Sequence, residues 1–124
     1  RERFCEASRI LVMKLLPALK ARDLEEFGKA LSLLEIEVGK MFSVAQGGIF
    51  RHEVIERGLS ILREEGAAGG GQSSWGPAFY GIFGDPGDAK RASRKLRAFL
   101  ERSVGGKVIV TEASNEGARG SWIS

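Results

Sequence analysis

GGGQSSWGPAFYGIFGD, Gly69 to Asp85, is the stretch on which the fold turns. It sets three consecutive glycines, an amide, two hydroxyls, an indole and a proline between two apolar runs. Ala67 to Ser73 is small, Ala78 to Phe83 is aromatic and aliphatic, and Trp75-Gly76-Pro77 lies between them, which predicts two strands around a sharp bend. Five of the chain's 17 glycines fall between Gly69 and Gly81, so the backbone here must approach something closely. Consecutive N–H groups without Cβ atoms can converge on an anion, phosphate above all. Gln72, Ser73 and Ser74 would add donors, and Trp75 a flat apolar wall. Alternatively, the small residues let a helix pack against a hairpin. Composition leaves both readings open.

Working outward from this stretch, Gly84-Asp85-Pro86-Gly87 is turn chemistry, and Asp88 is placed to cap a helix with Ala89, Ala92, Leu96, Phe99 and Leu100 facing inward. Gly105-Gly106 ends it, and Lys107 to Thr111, rich in β-branched residues, predicts a strand, followed by a polar turn at Ser114 to Gly117 and a short terminal strand. Upstream, Phe4, Ile10, Leu11, Met13, Leu15, Leu16 and Leu19 cover more than one helical face, which predicts a well-buried helix from Glu2 to about Arg22, kinked at Pro17. Cys5, on this helix, is expected to pack rather than react. Asp23 with Glu26 reads as an N-cap for a second helix through Leu24, Phe27, Leu31, Leu34, Val38 and Phe42, ending in the loop Ser43 to Phe50. A third runs from about His52 to Glu65, with Ile55, Leu59 and Leu62 inward and Gly66 closing it. Three helices, two strands, a helix and a strand give an α+β fold, a small, mostly antiparallel sheet with helices on one side.

The totals bound the class. A chain of 124 residues, 43% hydrophobic and 28% charged, is a single globular domain over 1–124. No apolar run approaches the roughly 20 residues that cross a bilayer, so no membrane partner is expected. One cysteine and one histidine, His52, leave no metal-ligand spacing and imply a reducing, cytoplasmic setting. A net charge of +3 does not argue for nucleic acid. The row Lys90, Arg91, Arg94, Lys95, Arg97 and Arg102 reads as a solvated helix face, because no aromatic residues interleave with it. The chain opens Arg1-Glu2-Arg3-Phe4, with neither an initiator methionine nor a signal peptide, and is expected to be a piece of a longer protein.

The string Gly69-Gly70-Gly71-Gln72-Ser73-Ser74-Trp75-Gly76-Pro77, followed by Tyr80-Gly81, resembles the hallmark near the C-terminus of the beta-ribofuranosylaminobenzene 5'-phosphate synthases, a family within the GHMP kinase superfamily. The resemblance extends to Leu15-Leu16-Pro17-Ala18-Leu19 with Asp23 and Phe27, to Gln46-Gly47-Gly48, and to Asn115-Glu116-Gly117-Ala118. It implies the superfamily's C-terminal, ferredoxin-like domain, with the glycine-rich motif on a hairpin facing the phosphate site. Gln72 to Trp75 stand where the kinases carry further glycines, a departure from the kinase pattern.

The resemblance also implies a reaction: phosphoribosyl pyrophosphate transfers its ribosyl phosphate to 4-hydroxybenzoate or 4-aminobenzoate, with loss of pyrophosphate and carbon dioxide, on the way to methanopterin. It implies a missing N-terminal GHMP domain as partner, a small-molecule substrate, a divalent cation such as Mg²⁺ travelling with the phosphoribosyl pyrophosphate, and a homodimer as a further option. The superfamily's N-terminal phosphate loop is not in this sequence, so the fragment alone is expected to be catalytically silent. Substrate and phosphate contacts are expected from Gly69, Gly70, Gly71, Gln72, Ser73, Ser74, Trp75 and Gly76, from Gln46, Gly47, Gly48 and Arg51 as a second wall, and from Asn115. No catalytic residue is assigned. A GHMP-type small-molecule kinase domain and a noncatalytic interaction or RNA-binding module are the competing readings.

Overall fold

A computed structural model describes residues 2–48, 52–73 and 77–123, without the side chains of Arg3, Val44 and Gln46. The chain opens with α1 (Glu2–Ile10), a π-helical turn over Leu11–Leu15, and α2 (Leu16–Ala21). Pro17 cannot donate to the helical ladder, and the backbone widens just ahead of it, with the Leu16 N–H reaching the Leu11 carbonyl. Arg22 closes α2 in the left-handed conformation, φ 57°. Asp23 then caps α3 (Leu24–Met41), accepting the Glu26 N–H at 3.1 Å as its position after the first helix predicts. A single turn, α4 (Ser43–Gln46), occupies part of the expected loop. α5 (Glu53–Glu64) follows with His52 at its N-cap position, and β1 (Gly69–Gln72) and β2 (Phe79–Ile82) come next.

The last helix, α6 (Pro86–Arg102), begins earlier than expected. Asp85, not Asp88, is its cap, accepting the Gly87 N–H at 2.8 Å, because Pro86 is preset for the first helical position. Asp88 instead pairs with Arg91 at 2.7 Å. Gly105 and Gly106 end the helix with φ of 73° and 131°.

The two strands form an antiparallel hairpin with Gly69 opposite Ile82, Gly70 opposite Gly81, Gly71 opposite Tyr80 and Gln72 opposite Phe79. The class is α+β, as expected, but the layering differs. Alternation puts Gly69, Gly71, Tyr80 and Ile82 on one face, and that face meets α3. Phe79 and Gly81 lie on the other and meet α5. The hairpin therefore separates two apolar clusters. One gathers Ile10, Leu15 and Ala30 with Phe27, Leu31 and Leu34, and the other gathers Leu62, Ala92, Leu96 and Leu100 with Phe79, Phe83 and Phe99. Glycines on both faces and in both facing helices make this two-sided packing sterically possible.

Three further expectations are corrected. The first helix is not well buried: Phe4, Met13 and Leu19 are 66%, 66% and 58% exposed, and Cys5 is exposed as well, because only one side of the helix meets α3. Lys107 to Thr111 is not a strand. It has no strand partner among the described residues and is tied to α6 by the Arg97 guanidinium, which donates to the Val108 carbonyl at 3.2 Å. No terminal strand follows it. Among the described residues no helix is long and apolar enough to cross a membrane.

Candidate functional site

The end of the hairpin is built by α3. Along β1, Gly28, Ser32 and Glu35 of α3 meet Gly69, Gly70 and Gly71 in turn. A Cβ on Gly69 would lie 2.1 Å from the Gly28 carbonyl oxygen, and one on Gly28 would lie 2.2 Å from that of Ala68. The Gly70 N–H donates to the Ser32 hydroxyl at 3.1 Å. Gly71 lies beneath the Glu35 side chain, whose Cγ is 2.3 Å from where a Cβ would stand.

These contacts give the three glycines a packing role within the fold. The Ser73 N–H donates to the Ala78 carbonyl at 2.9 Å, so the ladder's alternation assigns the Gly71 N–H to Tyr80, while at the other end the Ile82 carbonyl accepts the Ala68 N–H at 2.8 Å. None of the three is in the left-handed region. Gly69 to Gly71 are glycines because a helix and a strand backbone occupy the space of their side chains. The Gly70 N–H is spent on Ser32 within the fold.

What the glycines hold up is the bend. Gln72 is 6% exposed and engaged in the fold, whereas Ser73 and Pro77 are exposed. Ser74, Trp75 and Gly76, the most specific part of the string, lie outside the described residues, as does Arg51. Pro77 and Ala78 line the same open cavity as His52, so the start of α5 and the end of the hairpin share one mouth. Of the expected second wall, Gly47 is an exposed left-handed residue, φ 83°, that closes α4 beside Gly48; the Gln46 backbone is helical and its side chain lies outside the description. Asn115 is exposed in a bend held by Ser114 and Glu116, and makes no hydrogen bond to the described residues of the hairpin.

Two residues absent from the expected site stand against Gly71. The Tyr80 hydroxyl donates to the Glu35 carboxylate at 2.9 Å, so Glu35 crosses over Gly71 to reach the residue paired with it. Burial raises the Glu35 pKa above its ordinary 4.5, against the opposing effect of the tyrosine hydrogen bond. Burial, and then the carboxylate, raise that of Tyr80. A carboxyl with a raised folded pKa contributes stability that is full below its unfolded value and is lost as pH rises through the folded one. Glu35→Gln is therefore expected to melt at or above the wild-type temperature at pH 7, with the difference closing toward pH 4. Tyr80→Phe removes the donor and leaves a half-buried carboxylate, costing about 1 kcal/mol at pH 7. Thermal melts of both variants across pH check the pair.

Three of the six residues in the basic row on α6 are engaged. Arg91 binds Glu65 at 3.2 Å as well as Asp88, Lys95 also binds Glu65, and Arg97 is held at Val108. Among the described residues no group of three or more His, Cys, Asp or Glu gathers as a metal site.

An α+β domain whose glycine strand is packed closely by a helix defines the class, and sequence comparison places it. Residues 15–102 match the family described as GHMP kinases C terminal, and the chain belongs to that family. It is 37% identical over 114 residues to a Beta-ribofuranosylphenol 5'-phosphate synthase of Archaeoglobus fulgidus, covering 90% of this chain and 33% of that protein. A protein of the same name from Methanothermobacter thermautotrophicus is 30% identical over 112 residues, covering 90% of this chain and 31% of its own length. One from Methanocaldococcus jannaschii is 26% identical over 117 residues, covering 94% and 32%. The chain thus spans about a third of the length of these curated relatives. No solved structure matches it.

Proposed function

We propose that the chain is the C-terminal domain of a phosphoribosyl-transferring synthase, joined to an N-terminal GHMP domain, that condenses phosphoribosyl pyrophosphate with 4-hydroxybenzoate or 4-aminobenzoate in methanopterin biosynthesis. The observation that carries the reading is the packed glycine strand that leads to the exposed Ser73, with Pro77 and Ala78 at the mouth they share with His52. The relatives' name specifies a phenol bearing a ribofuranosyl 5'-phosphate, which supports the hydroxybenzoate as acceptor.

In such a reaction the bond from the anomeric carbon to pyrophosphate breaks, and the ring carbon bearing the carboxylate bonds to that carbon. The ring–carboxylate bond then breaks, returning its electron pair to the ring as carbon dioxide leaves. The domain's part is to position and hold charge: hydroxyl and amide donors of the bend face phosphate oxygens. A divalent cation would be carried by the pyrophosphate oxygens. Ser73 and Ser74 are the foremost candidates for phosphate contact, with Trp75 as a wall. Arg51, three residues or fewer from the α5 start, stands as a candidate guanidinium partner.

The test is an assay of the full-length protein with phosphoribosyl pyrophosphate, Mg²⁺ and each benzoate. Product with release of carbon dioxide is the expected result, with none from residues 1–124 alone. ATP-dependent phosphorylation of a small molecule, without use of phosphoribosyl pyrophosphate, would favour the kinase reading that the family description also supports. RNA binding would favour the interaction module, for which the pairing of Arg91 and Lys95 with Glu65 leaves less free charge.

A further inference from the structure

β1 offers the fold little to grip, because Gly69, Gly70 and Gly71 carry no side chains and the first one along the strand is that of Gln72. α3 follows the strand, meeting Gly69 with Gly28, Gly70 with Ser32 and Gly71 with Glu35, so Glu35 is the last of these three contacts before Ser73. Its side chain passes over Gly71, where a Cβ would obstruct it, and accepts the Tyr80 hydroxyl at 2.9 Å on the opposite strand. Next to Tyr80, the Phe79 ring lies against Gly58 of α5. The start of β2 is therefore held on both faces, by apolar packing at Phe79 and by a hydrogen bond at Tyr80. Packing against a glycine leaves sliding along a helix easy, whereas a hydrogen bond to a charged acceptor has a direction and a fixed length. For stability alone the carboxylate is a poor choice. Burial pushes its pKa up, and an amide would accept the same hydroxyl without that cost.

We propose that Glu35 is a positioning residue: through the Tyr80 hydroxyl it fixes where the hairpin ends, and so holds Ser73 in place for a phosphate group of the substrate. Ser73 lies two residues beyond Gly71, and its N–H donates to the carbonyl of Ala78, two residues before Tyr80. A displacement at Tyr80 therefore crosses one strand pair, Gln72 and Phe79, before it reaches Ser73. Groups that bind a ligand must be held to within about 0.5 Å by the residues around them. A glycine strand with no side chains to interlock does not supply that by itself, and the Glu35–Tyr80 bond does. Neither residue touches substrate; both act through Ser73. The inference rests on the proposed reaction for its ligand, while the coupling of Glu35 to Ser73 stands apart from it.

Steady-state kinetics, melting and amide hydrogen exchange of the full-length protein test it together. Tyr80→Phe, which keeps the ring, is expected to raise KM for phosphoribosyl pyrophosphate about tenfold, with kcat within about threefold of wild type. Glu35→Gln separates position from stability. It melts at or above wild type at pH 7 yet is expected to raise the same KM about threefold, an amide oxygen being the weaker acceptor. The double variant should be little worse than Tyr80→Phe, because both changes act on one bond. Without substrate, the Ser73 N–H is expected to exchange at least ~10-fold faster in Tyr80→Phe, while that of Leu96 in α6 changes by no more than about fivefold, the share due to lost stability. Unchanged KM and unchanged Ser73 exchange in both variants would overturn the proposal. So would a KM that merely follows melting, raised in Tyr80→Phe and not in Glu35→Gln. A wild-type protein that does not use phosphoribosyl pyrophosphate would refute the proposed reaction alone, and Ser73 exchange would then decide the role of Glu35.

Discussion

Gly69→Ala is expected to lower stability by about 3 kcal/mol or more, the upper range for forcing atoms into a packed interior, and melting by roughly 10 °C. The new methyl would lie 2.1 Å from the Gly28 carbonyl oxygen and 2.6 Å from its Cα, both backbone atoms of a helix that cannot step aside. Gly28→Ala should be equally severe, since its Cβ would strike the Ala68 backbone at 2.2 Å. Gly117→Ala, with nothing within 4 Å, is the control and should stay within about 0.5 kcal/mol. Gly71→Ala separates two explanations of the glycine run. The atoms nearest its methyl are the Glu35 Cγ, Cβ and Cδ, so Glu35→Ala, which removes the nearest of them but keeps the Cβ at 2.7 Å, should recover part of the loss, a coupling readable in a double-mutant cycle. No such rescue exists for Gly69. Thermal melts of the set decide it: a Gly69→Ala protein as stable as wild type would mean that α3 does not lie on β1.

The second large effect is on activity. In the full-length protein, Ser74→Ala is expected to reduce kcat/KM for phosphoribosyl pyrophosphate by about 1–3 kcal/mol in transition-state terms, roughly 5- to 150-fold, the value of a hydrogen bond to a charged group. Melting should hardly change, because the packing that fixes the hairpin runs through Gly69 to Gly71 and Tyr80. Steady-state kinetics with phosphoribosyl pyrophosphate varied, paired with melts, check this. An early-melting variant with normal kinetics would return the bend to a structural role.

The hairpin, the Asp23 cap, the ends of α3 and α5 and the C-terminal end of α6 were legible because each is signalled locally, by glycine, proline or a capping carboxylate. The packing of the hairpin was not. Helix faces are read from apolar spacing, which finds Phe27, Leu31 and Leu34 of α3 but not its second contact face, Gly28, Ser32 and Glu35. Small and polar residues that permit close approach carry no hydrophobic signal, so the helices were expected on one side only. The Glu35–Tyr80 pair was hidden for the same reason: the two are 45 positions apart, and only the fold brings them together. Composition likewise predicted burial for Met13 and Leu19 and a strand at Lys107 to Thr111, but burial and pairing require partners. Of the candidate site, the sequence singled out the string; it could not tell glycines that pack from donors that face a cleft.

That division is the central claim, and an amide chemical-shift titration of the ¹⁵N-labelled full-length protein with phosphoribosyl pyrophosphate and Mg²⁺ tests it most directly. The account predicts that the Ser73, Ser74, Trp75 and Gly76 amides move with saturation while those of Gly69, Gly70 and Gly71, packed between α3 and β2, stay in place. Shifts centred on Gly69 to Gly71 with a silent bend would contradict it.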